Sequence, residues 1–258
     1  MIDPQLLNLL PPLRRARGDR LYGPDQKHWV DLWKQDGTWL LGHRPEGAAK
    51  EWKNQVDKGL SAWAPSHWPR RLEQLVPQLI PGTTAVRVFR NPDRAPSAPL
   101  WRPWDDAPEP FSNASVGLVR LVLPTGPGQA VAVAYSQAWQ EAIPVNDVMS
   151  PAESAGLLHA TAEVIRFTND ARAVVQRQSV GAAFDRHLGP TGLFRRRGLW
   201  FDTTVAPEAY PSLFRALLGA GFLMNPDALS PGVLPLALSD GEWAAWKKAA
   251  ETWAQGGL

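Results

Sequence analysis

Hydrophobic positions in the first forty residues come in short extended runs. Trp29, Val30, Leu32 and Trp33 precede the turn signal Asp36-Gly37, and Trp39, Leu40 and Leu41 follow it, so Leu21 to Leu41 is expected to form a β-hairpin. From Pro45 to Leu60 the period becomes helical, with Ala48, Ala49, Trp52 and Val56 on one face and Lys50, Lys53, Asp57 and Lys58 off it. A second helix, Pro69 to Ile80, carries Leu72, Leu75, Val76 and Leu79 and stops at Pro81-Gly82. Ala85 to Phe89 reads as a strand, and Leu118 to Leu123 and Ala130 to Tyr135 as a hairpin around the turn Pro124 to Gly128. Between them, Asn91 to Asn113 is a proline-rich irregular connection.

Ser150, Pro151 and Glu153 have the spacing of a capping box. They open what reads as the longest helix, with an apolar side running from Leu157, Leu158, Val164 and Ile165 to Val174 and Val175. Gly198 to Thr204 is an expected strand and Pro207 to Leu218 a helix. Phe222 to Met224 and Val233 to Leu236 are short strands, and Ser239 with Glu242 caps a final helix to about Ala254. This alternation of helix and strand argues an α/β fold with a helix-rich carboxyl end.

Composition narrows the chemistry. The 258 residues are 44% hydrophobic and 20% charged, the balance of a globular chain. A net charge of +2 is too small an electrostatic footprint for nucleic acid or anionic lipid, so neither is an expected partner. The chain has no cysteine, which removes disulfides, thiolate nucleophiles and Cys-ligated metals, and a cytoplasmic location is the expectation. The apolar runs Val116 to Leu123 and Leu213 to Met224 are short and broken by arginine, so no membrane span is expected. Met1 to Arg17 lacks the charge order of a secretory signal and reads as a folded helix and turn.

Specific catalytic patterns are sparse. The five histidines form no metal-binding pair, and no nucleophile elbow is present. Arg195 to Arg197 reads as a solvated strand entrance, and Asp105-Asp106 as exposed loop residues. Thirteen tryptophans are expected mostly as core or interface anchors.

A series of weak signals in order resembles one family. Gly18 to Tyr22, Trp29 to Leu32 and Leu41 to Pro45, then Lys58 to Pro65, Leu72 to Pro81 and Val86 to Phe89, look like the start of the class III aminotransferases, nearest the glutamate-1-semialdehyde aminomutase branch. Arg197 to Asp202, Leu217 to Pro226 and Val233 to Pro235 are similar to that family's small C-terminal domain. The resemblance covers roughly half the chain and implies the type I fold of pyridoxal-phosphate-dependent transferases.

The middle of the chain departs from the pattern. The family uses a small-residue turn to hold the cofactor phosphate and a lysine to form the Schiff base. The aligned turn here is Asn91 to Ala95, where Pro92 lacks a donor and Asp93 repels phosphate. The seven lysines are Lys27, Lys34, Lys50, Lys53, Lys58, Lys247 and Lys248, none at the Schiff-base position, and no arginine precedes Pro235 where the family clamps a carboxylate.

The expectation is therefore a reduced α/β architecture with a truncated large domain and an α+β small domain, divided 1–80, 81–178 and 179–258. Its expected function is noncatalytic, in binding or assembly, as a homodimer that takes a small metabolite and has no cofactor. The alternative is an enzyme holding pyridoxal phosphate noncovalently, with His159 and His187 the histidines far enough along the chain to replace the lysine. Candidate ligand or dimer-seam residues are His43, Ser61, Trp63 and Trp68, because the resemblance puts their loops at the family's substrate mouth.

Overall fold

A computed structural model describes residues 3–37, 39–79, 85–89, 100–105, 118–121, 131–135, 141 and 149–256. The chain divides into two compact units. One comprises Met1–His43, Trp104–Asp106 and Ala171–Leu258, and the other Arg44–Pro103 and Ala107–Asp170.

The first unit begins with a short helix, α1 (Pro4–Leu7), and an antiparallel meander of β1 (Arg15–Arg17), β2 (Arg20–Tyr22) and β3 (His28–Asp31). The later strand β10 (Phe222–Leu223) joins β3 in parallel, pairing Phe222 with Val30 and Leu223 with Asp31. A second sheet has the order β11 (Gly232–Val233), β9 (Trp200–Thr203), β8 (Phe194–Arg197). Helices α5 (Ala171–His187), α6 (Tyr210–Gly219) and α7 (Asp240–Gly256) complete the unit. Its core is aromatic. Trp246 is fully buried, with edge contacts from Phe194 and Phe201 and a stacked ring from Trp243. The Trp29 indole donates to the Leu218 carbonyl at 3.1 Å, so its one polar atom is satisfied inside the core.

The second unit packs α2 (Glu46–Asp57) and α3 (Trp68–Leu75) against α4 (Pro151–Asn169). Its sheet has the order β4 (Ala85–Phe89), β7 (Val131–Tyr135), β6 (Leu118–Leu121), β5 (Leu100–Trp101). The β6–β7 pair forms the expected antiparallel hairpin, while its turn at 124–128 lies outside the described residues. Leu72, Val76, Val86, Val88, Leu157 and Leu158 form the apolar core between the helices and β4.

Three expectations about local structure are corrected. The hairpin closes between β2 and β3, and residues 34–37 and 39–41 form turns instead of a returning strand. Lys34, Gln35 and Asp36 have φ of 47°, 47° and 57°, and the Asp31 carboxylate accepts the backbone N–H of Trp33 and Lys34, which coils the chain directly after β3. Leu40 is buried all the same, so its apolar character signalled burial and not a strand.

The single long helix is two, because Asp170 is extended (φ −73°, ψ 123°) between α4 and α5. Thr168, Asn169 and Asp170 have short polar side chains that compete for the helical backbone, and the Thr168 hydroxyl already bonds the Val164 carbonyl. Val175 is consequently 64% exposed and belongs to no apolar face. Finally, Arg195 to Arg197 are part of a paired strand, β8, and the Arg196 guanidinium is fixed by both Asp185 oxygens at 2.9 and 2.7 Å.

Candidate functional site

Within the second unit the loop between α2 and α3 closes over a cavity of about 310 Å³. The loop contributes Trp63, Ala64, Pro65 and Ser66, and Pro65 stiffens it. Pro69, Leu72 and Glu73 come from α3, Val88 from β4, and Met149 and Ser154 from the start of α4. Trp63 is 64% exposed at this site, a large apolar ring left in water.

The capping box at Ser150 fixes the first turn of α4. Ser150 N–H donates to Glu153 Oε2 at 2.8 Å, and Glu153 N–H donates to Ser150 Oγ at 3.2 Å. One turn on, Ser154 is 1% exposed and its hydroxyl has no hydrogen-bond partner. A buried hydroxyl without a partner is costly; Ser154 is among the residues lining the cavity, but its hydroxyl oxygen is out of reach of a water molecule placed there. The Trp33 and Trp246 indole nitrogens are also buried without partners, but neither lines the cavity. Glu73 places a carboxylate on the wall, with Arg87 Nη1 at 3.4 Å. The described lining holds no lysine, arginine or histidine.

The structure distributes the candidate residues as follows. Trp63 lines the cavity. Ser61, two residues earlier on the same loop, is exposed and outside the lining. Trp68 begins α3 with its ring 4.3 Å from the His67 ring and 6.2 Å from that of His159, and the Arg71 guanidinium lies 5.4 Å from the Trp68 ring. In the first unit, His43 Nε2 is 2.8 Å from Asp31 Oδ2 and its ring packs on Trp39. His187 stacks on Trp243 with an interplanar angle of 8°. Ser154 and Glu73 were missed by sequence reasoning. The available signal was a serine three residues before Leu157 on the apolar stripe of α4, where a polar side chain needs a reason.

Asp31 and His43 belong to a buried polar network in the first unit. Lys34 is 1% exposed, and its ammonium lies 2.6 Å from Asp19 Oδ1 and donates to the Leu40 carbonyl at 3.3 Å. The other Asp19 oxygen accepts the Leu236 N–H, and Asp31 Oδ1 accepts two backbone N–H groups.

No protein-family model matches the chain. It is similar to an uncharacterized protein of Borreliella burgdorferi, 21% identical across 96% of this chain and 93% of that one. It is also similar to glutamate-1-semialdehyde 2,1-aminomutase of Ruminiclostridium cellulolyticum, 27% identical over 79 residues, which covers 31% of this chain and 18% of the aminomutase. Among solved structures, a glutamate-1-semialdehyde aminomutase from Pseudomonas aeruginosa superimposes with a TM-score of 0.70 at 13% identity, covering 96% of this chain and 88% of that one. An omega-transaminase from Sphaerobacter thermophilus gives 0.66 at 13% identity, over 95% and 91%. The fold is that of the class III aminotransferases.

The class III aminotransferase fold implies pyridoxal phosphate, and the described residues do not fit it. All seven lysines are described. Lys34 is neutralised by Asp19, Lys247 is partly exposed on α7, and Lys27, Lys50, Lys53, Lys58 and Lys248 are exposed. None lines the cavity, and the charged residue among its described lining is Glu73, which pairs with Arg87. The aligned phosphate turn at 91–95 lies outside the described residues. Among the described residues no group of three acidic, histidine or cysteine side chains could hold a metal, and no helix is long and apolar enough to cross a membrane.

Proposed function

We propose that this protein is a noncatalytic binding protein on the class III aminotransferase fold, one that performs no Schiff-base chemistry and takes a small ligand in the cavity beside Trp63. The lysine placement carries this reading. Transamination needs a free amine to hold the cofactor and to move a proton, and the one buried lysine is committed to Asp19. The protein is read as a cytoplasmic homodimer, a state implied by resemblance. Of the four residues expected at a ligand or dimer seam, Ser61 and Trp63 are the exposed pair, whereas His43 and Trp68 are held by partners within the chain.

Two measurements test the reading. Purified protein mixed with pyridoxal phosphate and dialysed is expected to retain no visible chromophore, and a chromophore that survives dialysis overturns the noncatalytic assignment. Sedimentation equilibrium at micromolar concentration is expected to give twice the 28.4 kDa chain mass, and a particle of the chain mass alone removes the homodimer.

A further inference from the structure

We propose that the edge strand β1 docks an extended acidic segment of a partner protein, a chain with carboxylates and apolar side chains at alternate positions. This goes beyond the binding reading above and uses none of the cavity's residues. The first feature behind it is unbalanced charge. Arg14, Arg15 and Arg17 are exposed within four residues, and no carboxylate among the described residues pairs with them. Arg20, across the hairpin from Arg17, differs, because both Glu242 oxygens hold its guanidinium at 2.6 and 2.9 Å. The Arg15 guanidinium lies 4.3 Å from the centre of the ring of Tyr22, its cross-strand neighbour, and the exposed His28 stands opposite Tyr22 on β3. A guanidinium laid over a ring keeps its N–H edge for a carboxylate and has less side-chain freedom to lose on binding. Arg17 is on the same face of the strand, two residues and about 7 Å further on, which is the spacing of alternate side chains in an extended partner.

The second feature is the open edge. β1 is the outer strand of the order β1-β2-β3-β10. Among the described residues, the one backbone pairing at that edge is of Gly18 with His43, just past the end of the strand. Antiparallel pairing turns the backbone groups of alternate residues away from β2, where an added strand can take them. The third feature is apolar surface beside the charge: Leu9 and Leu13, directly before the arginines, are each 44% exposed.

Together these choose the occupant. A second copy of β1 would set arginine against arginine and be repelled. A nucleic acid could meet the charges but not the backbone edge, and Arg14 to Arg17 spans only about 10 Å. An acidic strand answers charge and edge at once.

The test is fluorescence anisotropy of a labelled ten-residue peptide of alternating glutamate and valine, titrated with the full chain at low salt. Saturable binding that weakens as salt is raised is expected, with the glutamine–valine peptide about 10-fold weaker and the lysine–valine peptide not bound. A glutamate–valine peptide N-methylated at alternate residues, which lacks the N–H groups of one edge, should also bind more weakly. Arg15→Glu with Arg17→Glu should weaken binding by about 10-fold or more, since repulsion replaces two charge-assisted contacts, and Leu13→Ser by about 3-fold. All three positions are exposed, so the fold is expected to persist. Lys50→Glu with Lys53→Glu, on the exposed face of α2, should change nothing. No saturable binding, no loss on reversing Arg15 and Arg17, an equal loss on reversing the α2 lysines, or undiminished binding of the N-methylated peptide overturns the proposal. Tighter binding of a ten-nucleotide oligothymidylate than of the acidic peptide overturns it in favour of a nucleic-acid surface.

Discussion

Lys34 and Ser154 are each 1% exposed, yet their surroundings differ in kind. Around Lys34 the charged and polar groups answer one another: the ammonium meets Asp19 and the Leu40 carbonyl, Asp19 also takes the Leu236 N–H, and Asp31 takes two backbone N–H groups and His43. Around Ser154 the hydroxyl has no hydrogen-bond partner. A buried charge survives only when paired, so the first arrangement is structural and leaves no free valence for a ligand. A buried hydroxyl without a partner is destabilising, and the second arrangement carries that cost uncompensated. The difference teaches that equal burial does not mean equal satisfaction. The cluster with the more charges is the better satisfied one.

The largest effect that sharpens the contrast is expected at Lys34. Lys34→Met leaves Asp19 without its partner and should cost about 3–5 kcal/mol in urea unfolding. A loss below about 1 kcal/mol would mean that the network is not holding the first unit together.

A smaller effect is expected at Glu242, the second capping box. Its carboxylate accepts Arg20 at 2.6 and 2.9 Å and the Ser239 N–H at 2.8 Å. Burial alone would raise its pKa, but the Ser239 and Arg20 hydrogen bonds and the Arg20 charge outweigh burial and hold the carboxyl below its usual range. A depressed carboxylate adds stability that is present above its unfolded pKa and is lost as pH falls through the folded value. Glu242→Gln should therefore cost about 1–2 kcal/mol at neutral pH, and the gap between the two proteins should close on acidification. A gap independent of pH would assign the effect to packing.

The smallest stability change is expected at Ser154. Ser154→Ala removes an unsatisfied polar group and should shift stability by no more than about 0.5 kcal/mol, in either direction. A destabilisation above about 1 kcal/mol would show that the hydroxyl is satisfied in solution, and the comparison with Lys34 would collapse.

Helix starts were the most legible part of the fold. Both capping boxes form with reciprocal bonds, because Ser150 with Glu153 and Ser239 with Glu242 are separated by a single turn and need nothing from the rest of the chain. The break at Asp170 and the turn after β3 were less legible. Each depends on a competition between side chain and backbone that apolar periodicity does not record, as Asp31 and Thr168 show. Of the candidate site, Trp63 was found and Ser154 and Glu73 were not. A serine and a glutamate on helices carry no mark of their own, and only Val88 and Met149 closing in from other elements make them the wall of a cavity.

By itself the sequence determined the order of elements, the resemblance to an aminotransferase fold, and the absence of any lysine between Lys58 and Lys247. These are local or countable properties, and tertiary contacts cannot alter them. Only the tertiary structure decided that Lys34 is buried against Asp19 and that Ser154 is buried without a partner. Burial and satisfaction of a polar group depend on what arrives from distant parts of the chain, and that is settled by packing.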